Sequence, residues 1–70
     1  MPDKIINVDF ARFTGAGFGT IFGPKTVGLE AGELIAVTDV DADTVEAEVL
    51  DVCGDTAMIH VRWDRVLHRA

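Results

Sequence analysis

The fold is decided by the stretch TVEAEVLDV at residues 44–52, which continues through the turn CGD at residues 53–55 into TAMIHVRW at residues 56–63. An apolar residue recurs at every second position over residues 45–49 and 57–63, with acidic or other polar side chains at most of the positions between. A period of two residues is that of a half-buried strand, because successive side chains point to opposite faces of the sheet. Gly54 can adopt the positive φ angle of a tight turn. These stretches therefore predict a β-hairpin.

Shorter patterns on the N-terminal side of this hairpin predict the other strands. Residues 5–12 alternate and predict the first strand, while residues 34–37 predict another. Residues 19–22 are expected to form a short strand inside a glycine-rich segment. The tail, residues 64–70, is expected to form either one helical turn or a closing strand. No segment sustains the i, i+3, i+4, i+7 apolar pattern, so no helix of ordinary length is expected.

These elements together predict an all-β fold of about five strands. A small sheet has two edges with unpaired backbone groups, and curling into a barrel hides them. We therefore expect a small barrel that forms a single domain over residues 1–70, with a long first loop rich in glycine and phenylalanine over residues 13–32.

The later half of the chain carries three motifs, which are GELIAV at residues 32–37, VEAEVL at residues 45–50 and MIHVRWD at residues 58–64. With an acidic turn and a glycine turn between them, these motifs resemble the SH3-like small barrels, especially the Tudor and KOW types. The resemblance covers residues 32–64 and implies an SH3-like barrel. Tudor domains recognise methylated side chains, and KOW modules bind RNA or ribosomal partners, so the resemblance implies a binding module.

Composition limits the ligands and the compartment. The formal net charge is −6, and such a charge repels phosphate backbones, so nucleic-acid binding is disfavoured although a local basic patch could still support it. No apolar run approaches the ~18 residues of a membrane helix, and the N-terminus shows no secretory signal. Cys53 is the one cysteine, so an internal disulfide is excluded. We expect its side chain to be a small buried hydrophobe. A cytoplasmic location without membrane association is expected.

The acidic turn invites comparison with a calcium loop. Asp39, Asp41 and Asp43 are spaced like the first ligands of such a loop, but Thr44 and Leu50 stand where it needs glycine and glutamate. We interpret these aspartates as turn residues whose side chains bond nearby backbone amides.

Other candidate chemical motifs are also incomplete. The glycines of residues 15–26 lack the spacing of nucleotide-binding loops. Cys53, His60 and His68 match no familiar zinc spacing, and nothing is expected to orient a Cys53–His60 nucleophilic pair. No catalytic residue, metal or cofactor is assigned, and the chain is not expected to be an enzyme.

Two groups of residues are candidates for contact with a partner. The first is the aromatic side chains of the long loop, which either form an exposed apolar patch or fold back onto the barrel: Phe13, Phe18 and Phe22. The second joins a tryptophan to nearby arginines, residue types that are common at binding surfaces and in base stacking: Arg62, Trp63, Arg65 and Arg69. For this second group, the alternative is that Trp63 is buried at the bottom of the barrel while the arginines pair with Asp64, Glu46 or Glu48.

The sequence therefore predicts a small binding or assembly module that engages a protein partner or a second copy of itself. The first alternative is a nucleic-acid-associated barrel that uses the tryptophan and arginines. The second alternative is an enzyme whose site forms only in an oligomer.

Overall fold

A computed structural model of the chain describes residues 4–70, apart from the side chain of Lys25. In this part of the chain the strands are β1 (Ile5–Asn7), β2 (Phe18–Phe22), β3 (Leu34–Thr38), β4 (Thr44–Cys53) and β5 (Thr56–His68). Two short 3₁₀ helices accompany them, at Phe10–Arg12 and Gly23–Thr26. The mostly β fold is confirmed, and neither of these described helices is long and apolar enough to cross a membrane.

The predicted hairpin is the longest feature of the fold. β4 and β5 pair in antiparallel fashion around Gly54, which has a φ of +60°. The apolar positions of the alternation are buried, with Val49 opposite Ile59 and Ala47 opposite Val61. β5 continues to His68, so most of the tail is strand.

The prediction of one strand over residues 5–12 is wrong beyond Asn7. The side chain of Asp9 accepts a hydrogen bond from the backbone N–H of Ala11 (3.0 Å) and caps the first 3₁₀ helix. The N–H of Phe10 donates to Oδ2 of Asp39 (2.9 Å), which lies in the distant β3–β4 turn. Side-chain acceptors thus replace the strand partners that an extended backbone would need here.

The strands form one sheet in the order β1-β3-β4-β5-β2. Neighbours are antiparallel except for β1 and β3, which are parallel. Irregularities shift the β4–β5 register at three places, and bulges of this kind bend a sheet and increase its twist. The described pairings are those of an open sheet whose edge strands are β1 and β2.

One face of this sheet holds the core. Its apolar side chains come from all five strands, from Val8 after β1 and from Leu29 in the connection before β3. The largest of those that are fully buried are Ile35, Val37, Val49, Ile59 and Val61. Phe10, Phe13, Val52 and Val66 pack against this cluster while staying partly exposed.

Two glycines before and within β2 permit close packing. Gly17 has a φ of +95°, and the carbonyl of Val61 lies where its Cβ would stand. The N–H of Val61 donates to the carbonyl of Gly17 at 2.7 Å, which holds this turn against β5. At Gly19 the ring of Phe13 occupies the place of a Cβ. The spacing of these glycines matches no nucleotide-binding loop, and the close contacts of Gly17 with the backbone of Val61 and of Gly19 with the ring of Phe13 explain it.

We predict that Gly17→Ala destabilises the protein by about 2–4 kcal/mol, since alanine adds backbone strain and a clash with the backbone of Val61. Thermal unfolding followed by circular dichroism should show a melting temperature lower by at least about 10 °C. Gly15→Ala is the matched control, because nothing lies within 4 Å of its added Cβ. Equal losses in the two variants would contradict this account.

Lys4 fastens the connection between β2 and β3 to the start of β1. Its Nζ donates to the carbonyl of Gly28 at 2.6 Å and lies 2.9 Å from Oε2 of Glu33. The Lys4 ammonium, followed by the backbone N–H of Glu30, holds the pKa of Glu33 below its ordinary value of 4.5. The folded state therefore gains stability from this carboxylate above pH 4.5, and loses it as the pH falls through the lower folded pKa.

Replacement of Lys4 by methionine should return the pKa of Glu33 towards 4.5, because the strongest hydrogen bond to its carboxylate is lost. A carbon-detected NMR titration of the Glu33 carboxyl measures this directly. Lys4→Arg keeps the charge and should keep the pKa low. An unchanged pKa in Lys4→Met would show that the ion pair does not exist in solution.

Candidate functional site

The three candidate phenylalanines are split between two environments. Phe18 and Phe22 lie on β2 with 48% and 57% of their surfaces exposed. Phe13 packs against the core and covers the backbone of Gly19. Two of the three therefore contribute to an exposed surface, and the third closes the core.

Phe18 belongs to a row of side chains that crosses four strands on the face opposite the core. It stands opposite His60, which stands opposite Glu48, which in turn stands opposite Leu34. The rings of Phe18 and His60 stack with centroids 4.5 Å apart and an interplanar angle of 17°. Nε2 of His60 also lies 3.1 Å from the carbonyl oxygen of Ala16, to which it can donate.

The next row adds further exposed apolar side chains. Met58 lies between Thr20 and Asp51 and is 49% exposed. The register shift between Val49 and Asp51 leaves Leu50 exposed on β4. We use the name outer patch for five of the exposed apolar residues of these strands, which are Phe18, Phe22, Leu34, Leu50 and Met58.

Sequence reasoning did not assign Leu34, Leu50 or Met58 to a functional surface. Leu34 and Met58 carried a signal, since each is a large apolar residue next to a position that the alternation assigns to the core. Leu50 carried a weaker signal, because only the bulge determines on which side it lies. The patch as a whole depends on strand register, which brings distant positions side by side.

Trp63 is neither fully buried nor free. It is 37% exposed, and its Nε1 donates to the carbonyl of Gly15 at 3.0 Å. Phe10 packs edge-on against the indole with ring centroids 5.2 Å apart. The tryptophan thus fastens the turn before β2 to β5 and leaves part of its ring in contact with solvent.

The candidate arginines also differ from one another. Nη2 of Arg62 lies 2.8 Å from Oε1 of Glu48, and its Nε is buried with no hydrogen-bond partner among residues 4–70. Arg69 lies 3.8 Å from Asp43 in a more exposed pair. Arg65 forms no ion pair with the described part of the chain. Pairing with one of the carboxylates named in that alternative is found for Arg62 alone in the described part of the chain, since Arg69 pairs with Asp43 instead.

A shallow groove runs beside these residues. It has a volume of about 420 Å³ and is lined by Ala16, His60, Val61, Arg62, Trp63, Asp64 and Arg65. His60 borders both this groove and the outer patch through its stack with Phe18. Arg69 does not line the groove, so the predicted basic group is only partly gathered.

The candidate nucleophile and its base are not brought together. Cys53 ends β4 opposite Thr56, whereas His60 lies four residues further along β5. The expectation that Cys53 is buried is wrong, because it lies exposed beside the hairpin turn.

Two of the three aspartates in the β3–β4 turn have structural partners. Asp39 accepts hydrogen bonds from the N–H groups of Phe10 and Val40, and Asp43 accepts from the N–H of Ala70. Among residues 4–70, no three His, Cys, Asp or Glu side chains form a group that could hold a metal ion. In the described chain these aspartates thus bond backbone amides and tie the turn to other segments.

Comparison of the chain with protein-family models, curated proteins and solved structures finds no match. The outer patch and the groove are therefore the features of this chain that bear on its function.

Replacement of Trp63 by phenylalanine should lower the free energy of unfolding by about 1–2 kcal/mol, since the hydrogen bond to Gly15 and part of the packing are lost. Urea unfolding followed by circular dichroism measures the change. Arg65→Gln is the control, and its stability should stay within about 0.5 kcal/mol of the parent, as for other exposed positions. A Trp63→Phe variant as stable as the control would show that the indole does not hold the turn.

Proposed function

We propose that this protein is a binding module that engages a protein partner, or a second copy of itself, through the outer patch. The observation that carries the proposal is the exposure of five large apolar side chains on the strands of one small sheet. Large exposed apolar patches on small domains mark interaction sites, because leaving them in water has a free-energy cost. Phenylalanine and methionine are also enriched at the buried centres of interfaces.

The stack of Phe18 on His60 supports a surface that is ordered before binding. Both side chains lie on paired strands, and Nε2 of His60 also lies within hydrogen-bond distance of the carbonyl oxygen of Ala16. Side chains that are already fixed lose less conformational entropy on association. This part of the patch is therefore suited to be the anchor of an interface.

The finer fold that we propose is an SH3-like barrel. Bulges along β4 and β5 bend the sheet in the manner that barrel closure requires. A groove lined by Asp9, Arg12 and Phe13 on one side and by Thr20 and Phe22 on the other supports the idea that the segment after β1 lies beside β2. In this proposal the first 3₁₀ helix fills the gap between the two edge strands.

A nucleic-acid-associated function is the second candidate, and the groove beside Trp63 is the observation that favours it. The ion pair with Glu48 weakens the candidate, because it compensates the charge of Arg62. The net charge of −6 also opposes phosphate binding. Binding to RNA or DNA that falls steeply with salt and is lost in Arg65→Gln would establish this candidate over the first.

The main proposal is tested by a photo-reactive benzophenone amino acid at position 22, introduced in cells that naturally contain the protein. The expected result is crosslinking to a discrete protein or to a second copy, and loss of that product when Phe18→Ser and Met58→Ser are added. Light scattering at several concentrations then distinguishes self-association from a foreign partner.

Position 40 provides the matched control, since Val40 is apolar and 85% exposed but lies in the β3–β4 turn. It should give no such product. The same products from both positions, or none from position 22, would rule out the outer patch as the binding surface.

A further inference from the structure

We infer that the occupant of the outer patch is a basic segment of another protein, in which lysine or arginine side chains accompany apolar ones. The inference rests on the proposed function and specifies its partner. It is carried by the carboxylates that lie among the apolar residues of the patch.

These carboxylates lie on β4, between the apolar residues of β3 and those of β5. Glu48 stands opposite Leu34, Glu46 stands opposite Ala36, and Asp51 stands opposite Met58. An interface that covers the apolar residues of the patch must therefore cover or border carboxylates.

The positive charge on this face compensates only one of the three. Arg62 pairs with Glu48, while Glu46 forms no ion pair with any side chain that the structure describes. The carboxylate of Asp51 accepts a hydrogen bond from the N–H of Val52 at 2.9 Å and has no cationic partner among those side chains. Within the described side chains, two negative charges are thus left uncompensated.

This negative charge determines which kind of partner fits the outer patch. A purely apolar partner would desolvate the carboxylates without replacing their hydration, which is unfavourable. A second copy would bring its own Glu46 and Asp51 to the same interface, where like charges repel. A cationic segment satisfies both carboxylates, and the net charge of −6 would steer it towards the protein.

The spacing suits a short extended segment. Neighbouring strands are about 4.8 Å apart, so a cation over β4 and an apolar side chain over β5 or β2 lie about 5–10 Å from each other. Side chains on one face of an extended chain repeat about every 6.6 Å, so a few residues can supply both. Alternating basic and apolar residues are therefore the simplest pattern that fits.

The experiment titrates the isotope-labelled full chain with three synthetic peptides and follows backbone amide shifts by NMR. The peptides alternate lysine with valine, glutamate with valine, and lysine with serine. We expect saturable shifts around Glu46, Met58 and Phe18 with the lysine–valine peptide alone. Its affinity should fall roughly tenfold between about 50 mM and about 500 mM salt, because screening weakens the ion pairs.

The double variant Glu46→Gln with Asp51→Asn should weaken this binding roughly tenfold, while its spectrum shows that it is folded. Asp41→Asn is the matched control, because Asp41 is an acidic turn residue with a positive φ that asparagine tolerates. It removes one negative charge from outside the patch and should leave the affinity within about twofold of the parent.

Equal binding of the glutamate–valine peptide, shifts confined to the β3–β4 turn, or the absence of saturable shifts would overturn the inference. So would equal weakening by Asp41→Asn. A crosslink from position 22 to a second copy or to an acidic protein would leave the proposed function standing while this inference fails. The absence of crosslinks together with the absence of peptide binding would refute both the proposed function and this inference.

Discussion

The rest of the structure depends on the pairing of β4 with β5. β5 is held by β4 on one side and by β2 on the other, and β4 in turn holds β3, to which β1 is added. The centre of this pairing is closed to water, since Ala47, Val49 and Ile59 are fully buried and Val61 almost so. Burial of these apolar side chains favours folding. A chain of 70 residues buries a small fraction of its surface, so its stability depends strongly on this pairing.

A fold built from one sheet has a direct consequence for function. Only one face of the sheet can turn towards the core, so large apolar side chains such as Phe18 and Met58 on the opposite face stay exposed unless another molecule covers them. Phe18 and Met58 occupy that face, while their strand neighbours Ile21 and Ile59 fill the core. The alternation that buries one set of side chains in the core thus exposes the apolar side chains of the outer patch on the other face. Carboxylates of β4 lie between these apolar residues.

The turn before β2 connects this surface to the C-terminal half of β5. Gly17 permits its carbonyl to approach the N–H of Val61, and Trp63 bonds to Gly15 two residues earlier. His60 bonds to Ala16 between them. Three contacts to one short turn explain why aromatic residues that are far apart in the sequence meet at one end of the sheet.

The sequence by itself determined the mostly β fold and the hairpin of β4 and β5, because a two-residue period and a turn glycine are local signals. It also determined the candidate aromatic and basic residues, but not which of them are exposed together. Only the tertiary structure decided that Phe13 faces the core while Phe18 stacks on His60, that Asp39 ends the first strand early by bonding Phe10, and that a bulge leaves Leu50 exposed. The physical reason is that each of these outcomes depends on strand register and on contacts between residues far apart in the chain, which no local pattern encodes.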